Sequence, residues 1–263
     1  MNFWERLFAK REDTAKMHVL DWLKWDIHNH ILPQIDDGSQ SIQDSVKLIK
    51  GLKDIGIQGC VCTPHVMSGV HPNTPSTIST AYEALKQELV RQGLKFQLEF
   101  AAEYMIDEEL DAKIRSRELC LLPNGHMLIE MSYLSESKSL FHTIKAIQNN
   151  GYQPVLAHPE RYNYYHHNFQ IFKDIKNAGC LLQLNLLSIS RYYGQGVKNQ
   201  ALMLIKSGMY DFLGTDMHHG KHLAAIKQVL QKYDVEELLK PCEIKNESLF
   251  IQKSDILALE LAV

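Results

Sequence analysis

The chain has 263 residues, 45% of them hydrophobic and 22% charged, with a formal net charge of −3. This is the composition of a globular protein with a full core, and the slight acidity argues against general nucleic-acid binding. No apolar run approaches the roughly 18 residues of a membrane span, and five scattered cysteines form no disulfide framework, which points to a reducing, cytoplasmic compartment.

The opening residues, MNFWERLFAKREDTAK, are too charged for a secretory signal. Phe3, Trp4, Leu7 and Phe8 share one helical face there, with Arg6, Lys10 and Arg11 elsewhere. That face suits a peripheral contact with a membrane or a partner. The plainer alternative is a short helix docked on the domain, or a frayed tail. Residues 1–23 are read as an N-terminal extension and 24–263 as one domain.

From LKWDIHNH onward the chain alternates. The next segment, SIQDSVKLIKGLKDIG, has Ile42, Val46, Ile49 and Leu52 at helical spacing, with Ser39 or Ser41 to cap it and Gly56 to end it. IQGCVCTPH reads as the second strand, and PSTISTAYEALKQELVRQG as a helix closing at Gly93. KFQLEFAAEY, HMLIEMS, YQPVLAHPE, CLLQLNLLS and YDFLGTDMH continue the strands. The helical segments SKSLFHTIKAIQNNG, NFQIFKDIKNAG and KNQALMLIKSG lie between them, each ending in the glycine that suits a helix C-terminus. Seven strands alternating with helices imply parallel βαβ units and a closed or nearly closed barrel. A doubly wound open sheet is the alternative, but DIHNHILPQIDDG carries no phosphate-binding glycine fingerprint.

Six of the seven runs end in potential metal ligands. His28 and His30 end the first, with Asp37 in the loop beyond, and His65 ends the second. Glu103, Glu130 and His158 end the third, fourth and fifth, and Asp216 and His218 the seventh. Active sites of α/β barrels form at the C-terminal ends of the strands. Residues i and i+2 of a strand point the same way, so His28 and His30 share a face, as do Asp216 and His218. Any one of these residues has a duller explanation, a satisfied core histidine or a helix-capping acid. Nine such groups at one end of six strands do not. His71, His219, His222, Asp26 and Asp36 are candidates for supporting the ligands. His18, His126, His142, His166 and His167 fall away from that rim.

The motifs DIHNH…DDG, TPH, AAEY, LIE, AHPERY and GTDMH resemble the polymerase and histidinol phosphatase (PHP) superfamily. Within it, they are most similar to the bacterial manganese-dependent protein-tyrosine phosphatases of capsule and exopolysaccharide operons. The resemblance spans roughly residues 24 to 240, with IDDG and AHPERY its most specific pieces. It implies a distorted (β/α)7, TIM-like barrel holding three divalent ions, manganese first, with iron or zinc as alternatives. His28, His30, Glu103 and Asp216 would hold the first ion. Glu103, Glu130 and His158 would hold the second, and Asp37, His65 and His218 the third. Three such ions bring six positive charges against the four negative charges of Asp37, Glu103, Glu130 and Asp216, so the site attracts a phosphate dianion. Metal-bound hydroxide would attack phosphorus, and Arg161 would add a charged fork for phosphate oxygens. Its plainer reading is a surface ion pair with Glu160. The loop after His65, HVMSGVHPNTPS, departs from the pattern by lacking the basic residues relatives often carry there.

The implied substrate is a phosphotyrosine protein, the tyrosine-rich tail of a kinase controlling polysaccharide export. A small phosphomonoester such as histidinol phosphate is the alternative. A nuclease role is disfavoured by the acidic balance, and a metal-binding regulator with a dead site by nine chemically competent ligand positions. A thiolate phosphatase is excluded. The positions six residues after Cys60, Cys62, Cys120, Cys180 and Cys242 hold Val66, Ser68, His126, Leu186 and Ser248, and none is the required arginine. Tyr162, Tyr164 and Tyr165 either form a rim for the substrate ring or pack on the barrel.

Overall fold

The computed structural model describes residues 17–251, so the apolar face of Phe3, Trp4, Leu7 and Phe8 lies outside the described residues. In chain order the elements are β1 (Trp25–Asp26), α1 (Ile42–Asp54), β2 (Gly59–Cys62), β3 (His65–Val66), α2 (Pro75–Arg91), β4 (Gln97–Phe100) and β5 (Glu103–Met105). Then come α3 (Leu110–Ser116), β6 (His126–Glu130), α4 (Leu140–Asn149), β7 (Gln153–Ala157), α5 (Phe169–Asn177), β8 (Leu181–Asn185), α6 (Gln195–Lys206), β9 (Phe212–Gly214), α7 (Gly220–Lys232) and α8 (Val235–Leu239).

Nine strand segments replace the seven runs because two runs break. IQGCVCTPH supplies both β2 and β3, interrupted at Thr63–Pro64, where proline has no N–H to give a ladder. KFQLEFAAEY supplies β4 and β5, and at the break Ala101 N–H donates to Cys62 O while Ala102 N–H turns to Cys120 O. Among the described residues the strands pair in parallel, in the orders β1-β2-β4 and β3-β5-β6-β7-β8-β9. The curled sheet meets itself at a parallel bridge between Asn29 and Met217. There Asp216 N–H donates to His28 O at 2.8 Å, and His30 N–H to Met217 O at 3.0 Å.

Local sequence explains the helices. Ser41 caps α1 by accepting Asp44 N–H, and Val46, Ile49 and Leu52 turn its buried stripe to the sheet. Thr74 and Thr77 form a reciprocal cap at the start of α2, with Pro75 at its first turn. Between helices and sheet lies the main apolar layer, which includes Leu20 and Leu23. A smaller cluster takes Ile27, Val61, Leu128, Val155, Ala157 and Phe212 from strands around the ring and fills its interior. No described helix is long and apolar enough to cross a membrane.

Candidate metal centre

His28 and His30 extend β1 toward the ring's C-terminal mouth. The Nδ1 of His28 lies 2.7 Å from Gln183 Oε1, and that of His30 lies 2.8 Å from Asp36 Oδ2. Both acceptors require N–H at Nδ1, so the lone pairs of both Nε2 atoms face inward, as metal ligands require. The two Nε2 atoms are 3.3 Å apart. Each approaches the same pair of carboxylate oxygens: His28 at 3.2 Å from Glu103 Oε2 and 3.5 Å from Asp216 Oδ1, His30 at 3.4 Å from both. Atoms bound about 2.1 Å from one ion lie about 3.0–3.4 Å apart at octahedral or tetrahedral angles. The first cluster has that spacing.

Glu103 joins this cluster to its neighbours. Its Oε1 lies 3.0 Å from His158 Nε2, and its Oε2 lies 3.1 Å from His65 Nδ1. His65 Nδ1 also lies 2.8 Å from Glu130 Oε1, while its Nε2 faces Asp37 at 3.6 Å. His218 Nε2 completes that side, 3.5 Å from Asp37 Oδ1. Four overlapping groups result: His28–His30–Asp216, His28–Glu103–His158, His65–Glu103–Glu130 and His30–Asp37–His65–His218. All nine residues singled out at the strand ends therefore converge. His65 faces two groups rather than only that of Asp37 and His218, and Glu130 meets His65 rather than His158.

The clusters fit divalent ions on an observation of their own. His65 Nδ1, Glu103 Oε2 and Glu130 Oε1 are buried and make no hydrogen bond, although the nitrogen lies 3.1 Å and 2.8 Å from the two oxygens. Buried polar atoms left unpaired are costly, and these three belong to one of the groups whose ligand atoms lie close enough to share an ion. The electrostatics of the acids and of His218 fit ligation, while the surrounding carboxylates, acting against burial, raise His28, His30 and His65, the last to about 10, so that a bound ion would displace protons there. Burial opposes ionisation of Glu103, but the surrounding imidazoles, His28 first and then His158 and His30, hold its carboxyl well below the usual range. Asp216 behaves likewise under His28, His30, His218 and Arg161. Burial and the neighbouring His30 push His218 down to about 4, leaving a neutral imidazole suited to ligation.

The backbone is bent to deliver these side chains. His158 and Asp216 hold φ of 34° and 49°, a left-handed conformation disfavoured for residues with a Cβ. At Gly38 a Cβ would stand 2.1 Å from His30 O, so only glycine lets the Asp36–Asp37 loop close on the first strand. Asp26 accepts from Thr215 N–H (2.9 Å), Thr215 Oγ1 (2.6 Å) and Asn29 Nδ2 (3.1 Å), bracing the first and last strands beneath the ligands. His222 Nδ1 accepts His218 N–H, His219 caps α7, and the His71 ring stacks on His65.

A cavity of about 250 Å³ opens over the clusters, lined by His65, His158, Asp216 and His218, with Arg161, Tyr133 and Tyr193 on one wall. The turn Pro159–Arg161 carries Arg161 back over the site. Its Nη1 donates to Asp216 Oδ2 at 2.6 Å, and Asn185 Nδ2 donates to the same oxygen at 2.7 Å. Glu160 instead takes Tyr210 O–H and Asn185 N–H, so it is not the partner of Arg161. Tyr162 and Tyr165 are buried and Tyr164 is half-buried against the core, so they do not form the rim. Sequence reasoning missed Gln183, Asn185, Tyr133 and Tyr193. Gln183 and Asn185 did carry a signal, two polar residues at i, i+2 in the apolar run CLLQLNLLS.

A curled parallel sheet with histidines and carboxylates gathered at its C-terminal mouth defines a metal-dependent hydrolase. The family model described as "Capsular polysaccharide synthesis, CpsB/CapC" matches residues 24–248, and the chain belongs to that family. It is 28% identical over 218 residues to the tyrosine-protein phosphatase YwqE of Bacillus subtilis, covering 81% of this chain and 86% of that one. Among solved structures it matches one described as YwqE from Bacillus subtilis and CpsB from Streptococcus pneumoniae, unique metal-dependent tyrosine phosphatases. The TM-score is 0.71 at 27% identity, over 84% of this chain and 96% of the other. A histidinol phosphate phosphatase of Lactococcus lactis shares the fold, with TM-score 0.50 at 14% identity, over 80% of this chain and 93% of the other.

Proposed function

We propose that this metal-dependent tyrosine-protein phosphatase of the capsular polysaccharide family hydrolyses phosphotyrosine on a bacterial tyrosine kinase that regulates capsule or exopolysaccharide synthesis. The observation that carries the chemistry is Glu103, whose two oxygens meet nitrogens of His28, His30, His65 and His158 in a fully buried site.

Three divalent ions, manganese by preference, are assigned to His28, His30, Glu103 and Asp216; to Glu103, Glu130 and His158; and to Asp37, His65 and His218. The double approach of His65 makes it a second contact between the last two sets. When bound, such ions supply an acidified water and positive charge for phosphoryl oxygens. The chain's own residues do the rest. Gln183 and Asp36 fix the rings of His28 and His30 by holding protons on their Nδ1 atoms. Asn185 and Arg161 hold the outer oxygen of Asp216, and Arg161 turns its remaining N–H groups to the phosphate. A phenolate leaving group, with a pKa of about 10, depends on fixed positive charge more than on a strong acid.

All five cysteines are free thiols, in keeping with a cytoplasmic setting. Residues 24–263 are taken as the catalytic unit, with Leu20 and Leu23 packed into its core, and the apolar face of Phe3, Trp4, Leu7 and Phe8 as suited to peripheral membrane contact. The test is turnover of phosphotyrosine peptides against histidinol phosphate, with and without manganese. Preference for histidinol phosphate would replace the protein substrate with a small phosphomonoester.

A further inference from the structure

Arg161 is held in a way its motif does not explain. Its guanidinium carbon lies 4.5 Å from the ring centre of Tyr133 and 4.3 Å from that of Tyr193. Tyr133 follows β6 and Tyr193 precedes α6, so the rings come from two separate loops. Nη1 is spent on Asp216, and the other N–H groups of Arg161 make no hydrogen bond among the described residues. Tyr193 is anchored in turn, its hydroxyl accepting Asn185 Nδ2 at 3.3 Å. Tyr133 is half exposed at the cavity mouth, with its hydroxyl 3.3 Å from His158 Nε2.

We propose that Tyr133 and Tyr193 are positioning residues, a pair of aromatic rings that stack on Arg161 and present its edge to the substrate phosphate. The proposal rests on the reading of Arg161 as the phosphate fork. An arginine side chain is long and flexible, and a fork gives bidentate geometry only when its plane is fixed. One hydrogen bond to Asp216 leaves rotation about that bond, and ring contacts remove it. The π faces also solvate a cation that burial has taken from water. They do so without a competing acceptor that would have to be displaced when phosphate arrives. Preorganisation of this kind acts in the transition state because no reorientation is needed there. The rings do this work, so for Tyr133 the hydroxyl is dispensable. For Tyr193 the hydroxyl serves only to fix the ring through Asn185.

The experiment is a mutant cycle on the manganese-loaded protein, with a phosphotyrosine peptide as substrate and inorganic phosphate as competitive inhibitor. Tyr133→Leu and Tyr193→Leu keep apolar bulk and remove the π face. Each is expected to lower kcat/KM about tenfold and to weaken phosphate inhibition by a similar factor, the size of one desolvated cation–π contact. Metal content should stay at the wild-type level. Tyr133→Phe should restore the rate lost in Tyr133→Leu. In an Arg161→Ala background, Tyr133→Leu should cost nothing further. The clamp is overturned if the Leu variants match wild type, if Phe does not restore, if metal is lost, or if the Leu penalty persists without Arg161. An Arg161→Ala protein with wild-type kinetics overturns the phosphate-fork reading itself, and the clamp with it.

Discussion

Glu103→Gln is the most informative single change because it removes one charge and almost no volume. The side chain is fully buried at the end of β5, and its carboxylate meets four imidazoles. An amide nitrogen cannot accept, so one of the two approaches, His158 on Oε1 or the three histidines on Oε2, must lose its ligand atom. Losing even a group that only orients a metal ligand costs about 10–100-fold in affinity. A direct ligand costs at least as much, and Glu103 serves two clusters. The amide oxygen preserves one approach, so the loss is at least about 10- to 100-fold, or about 1.4–2.7 kcal/mol. The assay is elemental analysis after desalting from limiting manganese, with calorimetric titration of the metal-free protein. Near-UV circular dichroism in chelator would show that the barrel stays folded. Retention of full metal content and wild-type affinity in folded Glu103→Gln would refute the bridging role.

Chelator should abolish phosphotyrosine turnover and manganese restore it, while thiol alkylation changes little, because burial pushes Cys120 up to about 11 and Cys180 up to about 12 and leaves few thiolates to react. Loss of rate on alkylation of folded protein would count against metal chemistry. His28→Ala and Asp216→Ala should each remove most activity, measured at limiting metal. His142→Ala should not, since His142 is exposed and pairs with Asp111; equal rates across the three would sink the ligand assignment. Arg161→Ala should lower kcat by about 100- to 1000-fold, with Arg161→Lys recovering only part. Metal content should hold because Asn185 still donates to Asp216, and its loss would recast Arg161 as structural.

The candidate ligands were legible because their positions are local to each strand. A strand end and its i, i+2 parity can be read from eight residues, and His28 with His30 is such a case. The helix ends were legible for the same reason: Gly56, Gly93, Gly151, Gly179 and Gly208 all adopt positive φ just beyond helices. What was hidden depends on contacts between loops. Tyr133 and Tyr193 are 60 positions apart and meet only over Arg161. The cluster from Tyr162 to Tyr165 left rim and core packing open in the sequence, and its rings turn into the core, with Tyr162 O–H donating to Ala157 O. Consecutive aromatics carry no periodicity to say which way they face. The double approach of His65 was also hidden, because it follows from the break at Pro64 and the pairing of His65 with Glu103 in register.

The seam of the ring unites stability and function. The first and last strands supply His28 and His30 on one side, and Asp216 and His218 on the other, so the first cluster straddles the closure. Below it the closure needs no ion. Asp26 ties to Thr215, and Asn246 spans Trp25 O at 2.8 Å and Leu213 O at 2.7 Å, with Leu213 N–H returning to its Oδ1 at 3.0 Å. Above it, polar atoms such as Glu103 Oε2 are left without a hydrogen bond. A barrel locked by hydrogen bonds at its base can keep unsatisfied ligands at its mouth, because the cost of those atoms is carried by a fold that does not depend on them. Bound ions then relieve that cost and stabilise the closed seam by mass action. The division explains why Asp26, although buried beside two histidine ligands, faces the backbone of the last strand rather than the cavity.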